Sequence, residues 1–190
     1  MRIIAGSHKG RALIAPPGDD TRPTLGRARQ SLFDILEHGA FSTGGESLLP
    51  GAQVLEAFAG SGAFGFEALS RGAARATLID NARAAQAAQR RNAETLGESA
   101  KTRLIAGDAT RPPRGAPQDL VFLDPPYRGG LAAPAIAALT AAGWIDARTL
   151  VIVEVAAKED FAAPANFTVL DDRRYGPAKF IFLRQTSDRA

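Results

Sequence analysis

The segment Asp124-Pro125-Pro126-Tyr127 holds more chemistry per residue than any other part of the 190-residue chain. Its two prolines fix φ and remove two amide donors, leaving a stiff stretch whose carbonyls are free to accept. Asp124 adds a carboxylate acceptor. Acceptors grouped in this way suit an exocyclic NH2 on a nucleobase, because they hold both hydrogens and turn the nitrogen lone pair toward an electrophile. Tyr127 supplies a ring on which a flipped-out base can stack. A plain Pro-Pro turn closing a strand has the same spelling. Here, though, the segment follows Leu120-Val121-Phe122-Leu123, an apolar run that reads as a strand, and ligands of open α/β sheets bind at the carboxyl ends of strands.

Three further acids occupy the same kind of place. Glu56 lies near the end of the strand-like run 52–58, just ahead of Gly60, Gly62 and Gly65 in a G-x-G-x-x-G pattern. Glycines there permit a tight turn and the close approach of a ligand to the backbone. Asp80 ends the next such run, where a carboxylate can accept from two ribose hydroxyls. Asp108 follows the third run, where it could accept from an adenine 6-amino group or act as an ordinary turn or helix-capping residue. Two cofactor classes share this layout. A dinucleotide rests its pyrophosphate on a helix N-terminus. S-adenosylmethionine has no phosphate, and its cationic amino-acid group and sulfonium favour an acid beside the loop, a place Glu56 can fill. His8 and His38 stand in separate segments, and the chain has neither cysteine nor a G-x-S-x-G elbow nor a P-loop, so no metal is expected.

Positioning these groups takes alternating strands and helices. Residues 52–58, 74–80, 102–106, 119–123 and 150–155 read as strands, and 63–71, 82–96 and 131–142 as helices. That alternation predicts a mostly parallel, doubly wound α/β sheet covered on both faces. Residues 167–170 and 179–183, around a turn at Tyr175-Gly176-Pro177, predict a closing antiparallel hairpin, with Asp171, Asp172, Arg173 and Arg174 on a solvated face. Glu154 is out of character in a buried strand; a strand tip facing the site and an edge or capped position both accommodate it. Ahead of the sheet, residues 2–5 and 11–14 predict a hairpin. A helix of about 14 residues then begins near Thr21-Arg22-Pro23-Thr24, with Ala28, Leu32, Ile35 and Leu36 on its apolar face.

The chain is long enough to bury a core without disulfides or metal, and its 45% hydrophobic and 23% charged residues exclude wholesale disorder and fibrous classes. Absent cysteines fit a reducing compartment. The first residues lack the apolar run of a signal peptide and no stretch approaches a membrane span, so a cytoplasmic protein without membrane contact is expected. Charge is uneven. Residues 1–30 hold six basic and two acidic residues, against a net +3 for the whole chain. Arg2, Lys9, Arg11, Arg22, Arg27 and Arg29 thus make a basic end suited to a polyanion; a solvated surface accounts for the charge alone equally well. The expected organisation is a basic hairpin-and-helix extension over 1–40 and a catalytic domain over 41–190.

Glu56, Gly60-Ser61-Gly62, Asp80, Asp108 and Asp124-Pro125-Pro126-Tyr127 together resemble an S-adenosylmethionine-dependent amino-methyltransferase. The last motif is shared with DNA adenine N6-methyltransferases, which usually carry a target-recognition region that this short chain has little room for. Arg2-Ile3-Ile4-Ala5-Gly6, Gly10-Arg11, Arg22-Pro23-Thr24 with Arg27 and Arg29, Phe58-Ala59-Gly60-Ser61-Gly62 and Glu67-Ala68-Leu69-Ser70-Arg71-Gly72 are more specific. They resemble the RsmD family, which methylates the N2 amine of a guanine in bacterial 16S ribosomal RNA. The resemblance runs from Arg2 to about Arg184. It implies a Rossmann-like seven-stranded sheet whose last strand is antiparallel, with a 16S ribosomal RNA or small-subunit assembly particle as partner. It also implies cofactor contacts from Glu56, Phe58, Ala59, Gly60, Gly62, Asp80, Asp108 and Ala109, and catalysis by Asp124, Pro125, Pro126 and Tyr127. Two positions depart from the family pattern: Glu56 and Gly26 stand where aspartate is common.

Overall fold

The computed structural model describes residues 1–17, 23–42, 44–126 and 130–186. Five apolar runs form parallel strands: β1 (Gln53–Ala57), β2 (Arg75–Asp80), β3 (Thr102–Ala106), β4 (Leu120–Leu123) and β5 (Leu150–Ala156). With β6 (Phe167–Tyr175) and β7 (Ala178–Gln185) they make a seven-stranded sheet in the order β3-β2-β1-β4-β5-β7-β6. The last strand, β7, is antiparallel to both of its neighbours. The helices are α1 (Pro23–Glu37), α2 (Ala63–Ser70), α3 (Arg83–Leu96) and α4 (Ala132–Ala141).

Period-2 alternation sorts the strand side chains into two cores. Val54, Leu78, Phe122, Ile152 and Phe180 face one side, where Leu32, Phe33 and Leu36 of α1, Phe66 of α2 and Leu96 of α3 cover them. Leu55, Ile79, Val121 and Val153 face the other, beneath Ile136 and Leu139 of α4 and Trp144. Burying each large aliphatic or aromatic side chain contributes roughly 1.5–3 kcal/mol. The chain leaves β1 outward through β2 to β3 and then returns to β4, so the order reverses between β1 and β4. In such sheets that reversal opens the ligand crevice.

Three local features differ from the sequence reading. The N-terminal hairpin is narrower than two paired strands: a single antiparallel bridge joins Arg2 and Ala12, because much of its backbone bonding goes to α2 and α3 instead. β6 runs on through Asp171–Arg174 to Tyr175, with its register shifted between Val169 and Asp171. As an edge strand it pairs by backbone on one side only, so polar residues continue it at little cost. On α1, Phe33 is fully buried, 5.0 Å from Phe64 between ring centroids, whereas Ile35 is only partly buried. The buried stripe is therefore turned toward Phe33, which packs on Phe64 of α2. Arg22 and Tyr127 lie outside the described residues.

Candidate active site

The carboxyl tips of β3, β2, β1 and β4 stand side by side and carry Asp108, Asp80, the glycine loop and Asp124 in that order. Backbone bonds tie the tips together. The Gly107 amide donates to the Asp80 carbonyl (3.0 Å), the Ala59 amide to Ile79 (3.1 Å), and the Asp124 amide to Ala57 (3.3 Å). The last of these holds the Asp-Pro-Pro segment one residue from the loop.

The loop is built around backbone conformations few residues tolerate. Phe58 has φ 57°, the only positive value for a non-glycine among the described residues. Such a conformation costs of order 1–2 kcal/mol and persists where surroundings enforce it, often at functional sites. Gly62 has φ 79°, and a Cβ there would come within 2.7 Å of both Leu78 Cδ1 and Phe66 Cε2. The glycines therefore let α2 settle onto β2.

Glu56 is buried, 4% exposed, and aims its carboxylate at the start of α2. Oε1 accepts from the Phe64 amide (3.2 Å) and Oε2 from the Gly65 amide (2.9 Å). It thus supplies the anion that the positive end of a helix favours. Burial pushes its pKa up to about 7; the two amide donors, and the Arg29 guanidinium beyond them, pull the other way. Asp80 is half-buried. Its Oδ2 accepts from the Gly60 amide (2.8 Å) and its Oδ1 from the Ala82 amide (2.8 Å), so it joins the loop to the start of α3. Gln89, fully buried on α3, donates to the Gly60 carbonyl at 3.0 Å. Asp108 Oδ1 accepts from the Thr110 amide and hydroxyl, both at 2.8 Å. These bonds hold its carboxyl below the usual carboxylate range. Ala109 beside it is buried.

In the fourth tip, Asp124 is exposed, Pro125 buried and Pro126 exposed. Six residues after Asp124, Gly130 lines a cavity of about 650 Å³ shared with Ala156, Ala157, Lys158 and Pro177 at the end of β5. That volume falls in the range of small-molecule sites. Glu154, 6% exposed, sits near this end of β5, opposite Phe180 of β7; it is interior, not at an edge.

The N-terminal basic residues do not all face outward. Arg2, Lys9, Arg11 and Arg27 are exposed. Arg29 corrects the sequence reading: its guanidinium turns inward, donating to the Arg2 carbonyl (2.8 Å) and lying 2.9 Å from Met1 Sδ. Burial pulls its pKa below the usual arginine range, opposed by the Glu67 and Glu56 carboxylates. It braces α1 against the first arm of the hairpin.

Sequence reasoning missed the residues that hold this hairpin. Glu67, wholly buried, accepts from the Ile4 amide (2.7 Å), the Ala5 amide (3.0 Å) and Arg71 Nε (2.8 Å). Asn92 brackets Ile14, accepting from its amide (2.8 Å) and donating to its carbonyl (2.9 Å), and also donates to the Ser61 carbonyl in the glycine loop (3.0 Å). Glu67 stands in a motif that carries the family resemblance, but nothing there marked it as the hairpin's anchor; for Asn92 the only signal is a polar residue on the buried stripe of an amphipathic helix. Among the described residues no group of three or more His, Asp and Glu is placed to hold a metal, and no helix is long and apolar enough to cross a membrane.

This sheet order, with acids at successive strand tips and a glycine loop at the reversal, defines a Rossmann-like S-adenosylmethionine-dependent methyltransferase domain. Magnesium protoporphyrin IX methyltransferase from Synechocystis, solved with bound cofactor, shares the fold at a TM-score of 0.62 and 16% identity, over 86% of this chain and 80% of that one. Closer likeness is found elsewhere. The structure of yhhF from Escherichia coli superposes with a TM-score of 0.81 and 35% identity, covering 99% of both chains. Ribosomal RNA small subunit methyltransferase D of Escherichia coli K12 is 36% identical over 183 residues, 95% of this chain and 87% of that protein. The family model described as Conserved hypothetical protein 95 matches residues 1–184. The chain belongs to this family, the RsmD family of ribosomal RNA methyltransferases.

Proposed function

We propose that the protein methylates the N2 amine of a guanine in 16S ribosomal RNA, free or within a small-subunit assembly particle, with S-adenosylmethionine as donor. One observation carries the choice of cofactor. The Phe64 and Gly65 amides at the start of α2, which would cradle a pyrophosphate in a dinucleotide site, are already taken by the buried Glu56 carboxylate. A phosphate brought there would meet the Glu56 carboxyl group instead of free donors. A cofactor with no phosphate and a cationic amino-acid group meets no such conflict, and the residues present fit it.

When bound, S-adenosylmethionine supplies a methyl group on a positively charged sulfur. Asp80 would hold the ribose hydroxyls: each of its oxygens accepts one amide bond and has a lone pair to spare. Asp108 and Ala109 would border the adenine, and Phe58, Ala59, Gly60 and Gly62 would lie against the cofactor as a loop of small or strained residues. Asp124 and the Pro125 carbonyl would accept the two hydrogens of the guanine amine and so aim its lone pair. Pro125 and Pro126 keep those acceptors rigid. Catalysis of this kind is mostly positioning, where a misplacement of about 1 Å costs on the order of 100-fold. The neutral amine is a very weak acid, so its proton leaves, to water, only after the methyl has arrived from the sulfur and made the nitrogen cationic. Tyr127 would stack on the guanine.

Arg2, Lys9, Arg11, Arg22 and Arg27 would meet RNA phosphates, with residues 1–40 serving as the docking extension and 41–190 as the catalytic domain. A cytoplasmic setting, where ribosomal RNA is matured, suits this role. The experiment is to incubate the protein with methyl-labelled cofactor and either small-subunit ribosomal RNA or duplex DNA, and map the label. A single N2-methylguanine in the RNA is the expected result. Label on adenine in DNA, with none in RNA, overturns the reading.

A further inference from the structure

The hairpin turn that carries Lys9, and Arg11 just after it, lie at the end of α3 opposite the strand tips. The turn is pinned there. The Ser7 amide donates to the carbonyl of Ser70, the last residue of α2 (2.8 Å), and His8 Nε2 lies 2.7 Å from Glu98, beyond the end of α3. Further along, Arg11 donates to the Thr95 carbonyl (2.8 Å) and Ile14 is bracketed by Asn92. Positions 8, 11 and 14 therefore meet 98, 95 and 92, so the second hairpin arm runs antiparallel to the end of α3. The opposite end of α3 begins at Arg83, three residues after Asp80 in the candidate site. Fourteen helical residues separate the two ends by about 21 Å. A polyanion reaching from the hairpin turn to the strand tips must cross that distance.

The outer face of α3 is dressed for such a crossing. Ala85, Ala88, Gln89, Asn92, Ala93 and Leu96 are buried, leaving Arg83, Arg90 and Arg91 exposed. Arg91 is one helical turn from Thr95, where the Arg11 guanidinium rests, and Arg90 is seven residues from Arg83 on the same stripe. One acid, Glu94, shares this face. None of the three arginines is among the hairpin or α1 cations.

We propose that Arg83, Arg90 and Arg91 form a phosphate track along α3 that carries the RNA backbone from the hairpin cations to the candidate active site. The proposal rests on the ribosomal RNA reading above and adds the path the strand takes. The track is electrostatic and therefore blind to sequence; it sets register and approach, while base recognition stays at the strand tips.

The test measures the salt dependence of binding to a small-subunit ribosomal RNA fragment by the intact protein. In Arg83→Ala/Arg90→Ala/Arg91→Ala the slope of log affinity against log salt should fall by about 2–3, and affinity near 0.1 M salt by about 100-fold. The melting temperature and calorimetric S-adenosylmethionine affinity should stay as in wild type. The triple lysine variant should keep the wild-type slope, and Arg173→Ala, on the edge strand β6, should change nothing. A triple alanine variant with an unchanged slope, or a triple lysine variant as weak as the alanine one, overturns the track while leaving the functional reading intact. Wild-type protein that fails to bind or methylate ribosomal RNA at all overturns that reading, and the track with it.

Discussion

Glu56 shows how much a single side chain can depend on where its strand is packed. Its folded pKa, about 7, lies above the ordinary value of 4.5 because burial disfavours the anion. The folded chain thus holds this proton more tightly than the unfolded chain does. The contribution is fully present below about pH 4.5 and is lost as pH rises to about 7, a loss on the order of 3 kcal/mol. Urea titrations of wild type and Glu56→Gln should therefore diverge with pH, wild type losing stability relative to the neutral variant between pH 5 and 7.5. A gap that stays constant would mean the carboxylate is not desolvated as the structure shows. Asp124 is tested through chemistry. Asp124→Ala should slow single-turnover methyl transfer by about 100-fold, and Asp124→Asn, whose carbonyl still accepts one hydrogen bond, should retain more activity. Equal loss in both variants would point to an essential proton acceptor instead, and full activity in Asp124→Ala would remove the residue from the site. That these two acids lie close to the glycine loop was legible from their spacing in the chain. That Glu56 spends both oxygens on the start of α2 was not, because only folding decides which amides lie nine residues away.

At the scale of elements, the N-terminal hairpin is held less by its own strand pairing than by α2 and α3. Glu67 receives two of its amides and Arg71, and Arg71 Nη1 lies 2.7 Å from Glu37 of α1. Glu67→Ala would leave those donors buried without their acceptor, a change that costs about 3–5 kcal/mol when one partner of a buried pair is removed. The melting temperature should drop, and hydrogen exchange at Ile4 and Ala5 should accelerate more than at β4 amides; uniform acceleration would show that the whole sheet, not the strap, had been loosened. Gly6 offers an independent check. It has φ 78°, and a Cβ there would stand 1.8 Å from the Ser70 carbonyl oxygen. Gly6→Ala should therefore detach the turn while leaving S-adenosylmethionine affinity, measured by calorimetry, close to wild type. The helix and strand boundaries themselves were readable to within a residue or two, since periodicity and glycine stops are local properties. The length of β6 was not, because an edge strand takes its extent from its partner.

For the molecule as a whole, the strand tips, glycine loop and hairpin are joined into one unit through Asp80 and Asn92. Asp80→Ala removes acceptors for the Gly60 and Ala82 amides as well as for a ribose. Cofactor affinity should weaken by about 1.5–3 kcal/mol for each charge-assisted bond lost; calorimetry showing wild-type affinity would take Asp80 out of the site. S-adenosylmethionine at about 100 times its dissociation constant should stabilise the wild-type fold by about 2.7 kcal/mol, a rise of about 5–10 °C in melting temperature for a chain of this size. NAD should give none, since Glu56 occupies the amides its pyrophosphate would need.

Much of this protein was determined by sequence alone. The alternating apolar runs dictated a doubly wound sheet, because a strand buried on both faces has to be apolar throughout. Acids placed at the ends of the second, third and fourth runs dictated a row of carboxylates at the carboxyl end of the sheet, since parallel strands all end on the same side. Only the tertiary structure decided which basic residues of the N-terminus reach the surface. In the chain Arg29 is indistinguishable from Arg27, yet one lies inward against Met1 and the other is exposed. Arg90 and Arg91 gave no sign of belonging with Lys9 and Arg11, some 80 residues earlier. Charge counts are additive along a sequence, whereas a surface is assembled from elements that pack together. The contacts of Asn92 with Ile14 and Ser61 are what bring hairpin, helix and glycine loop into one surface.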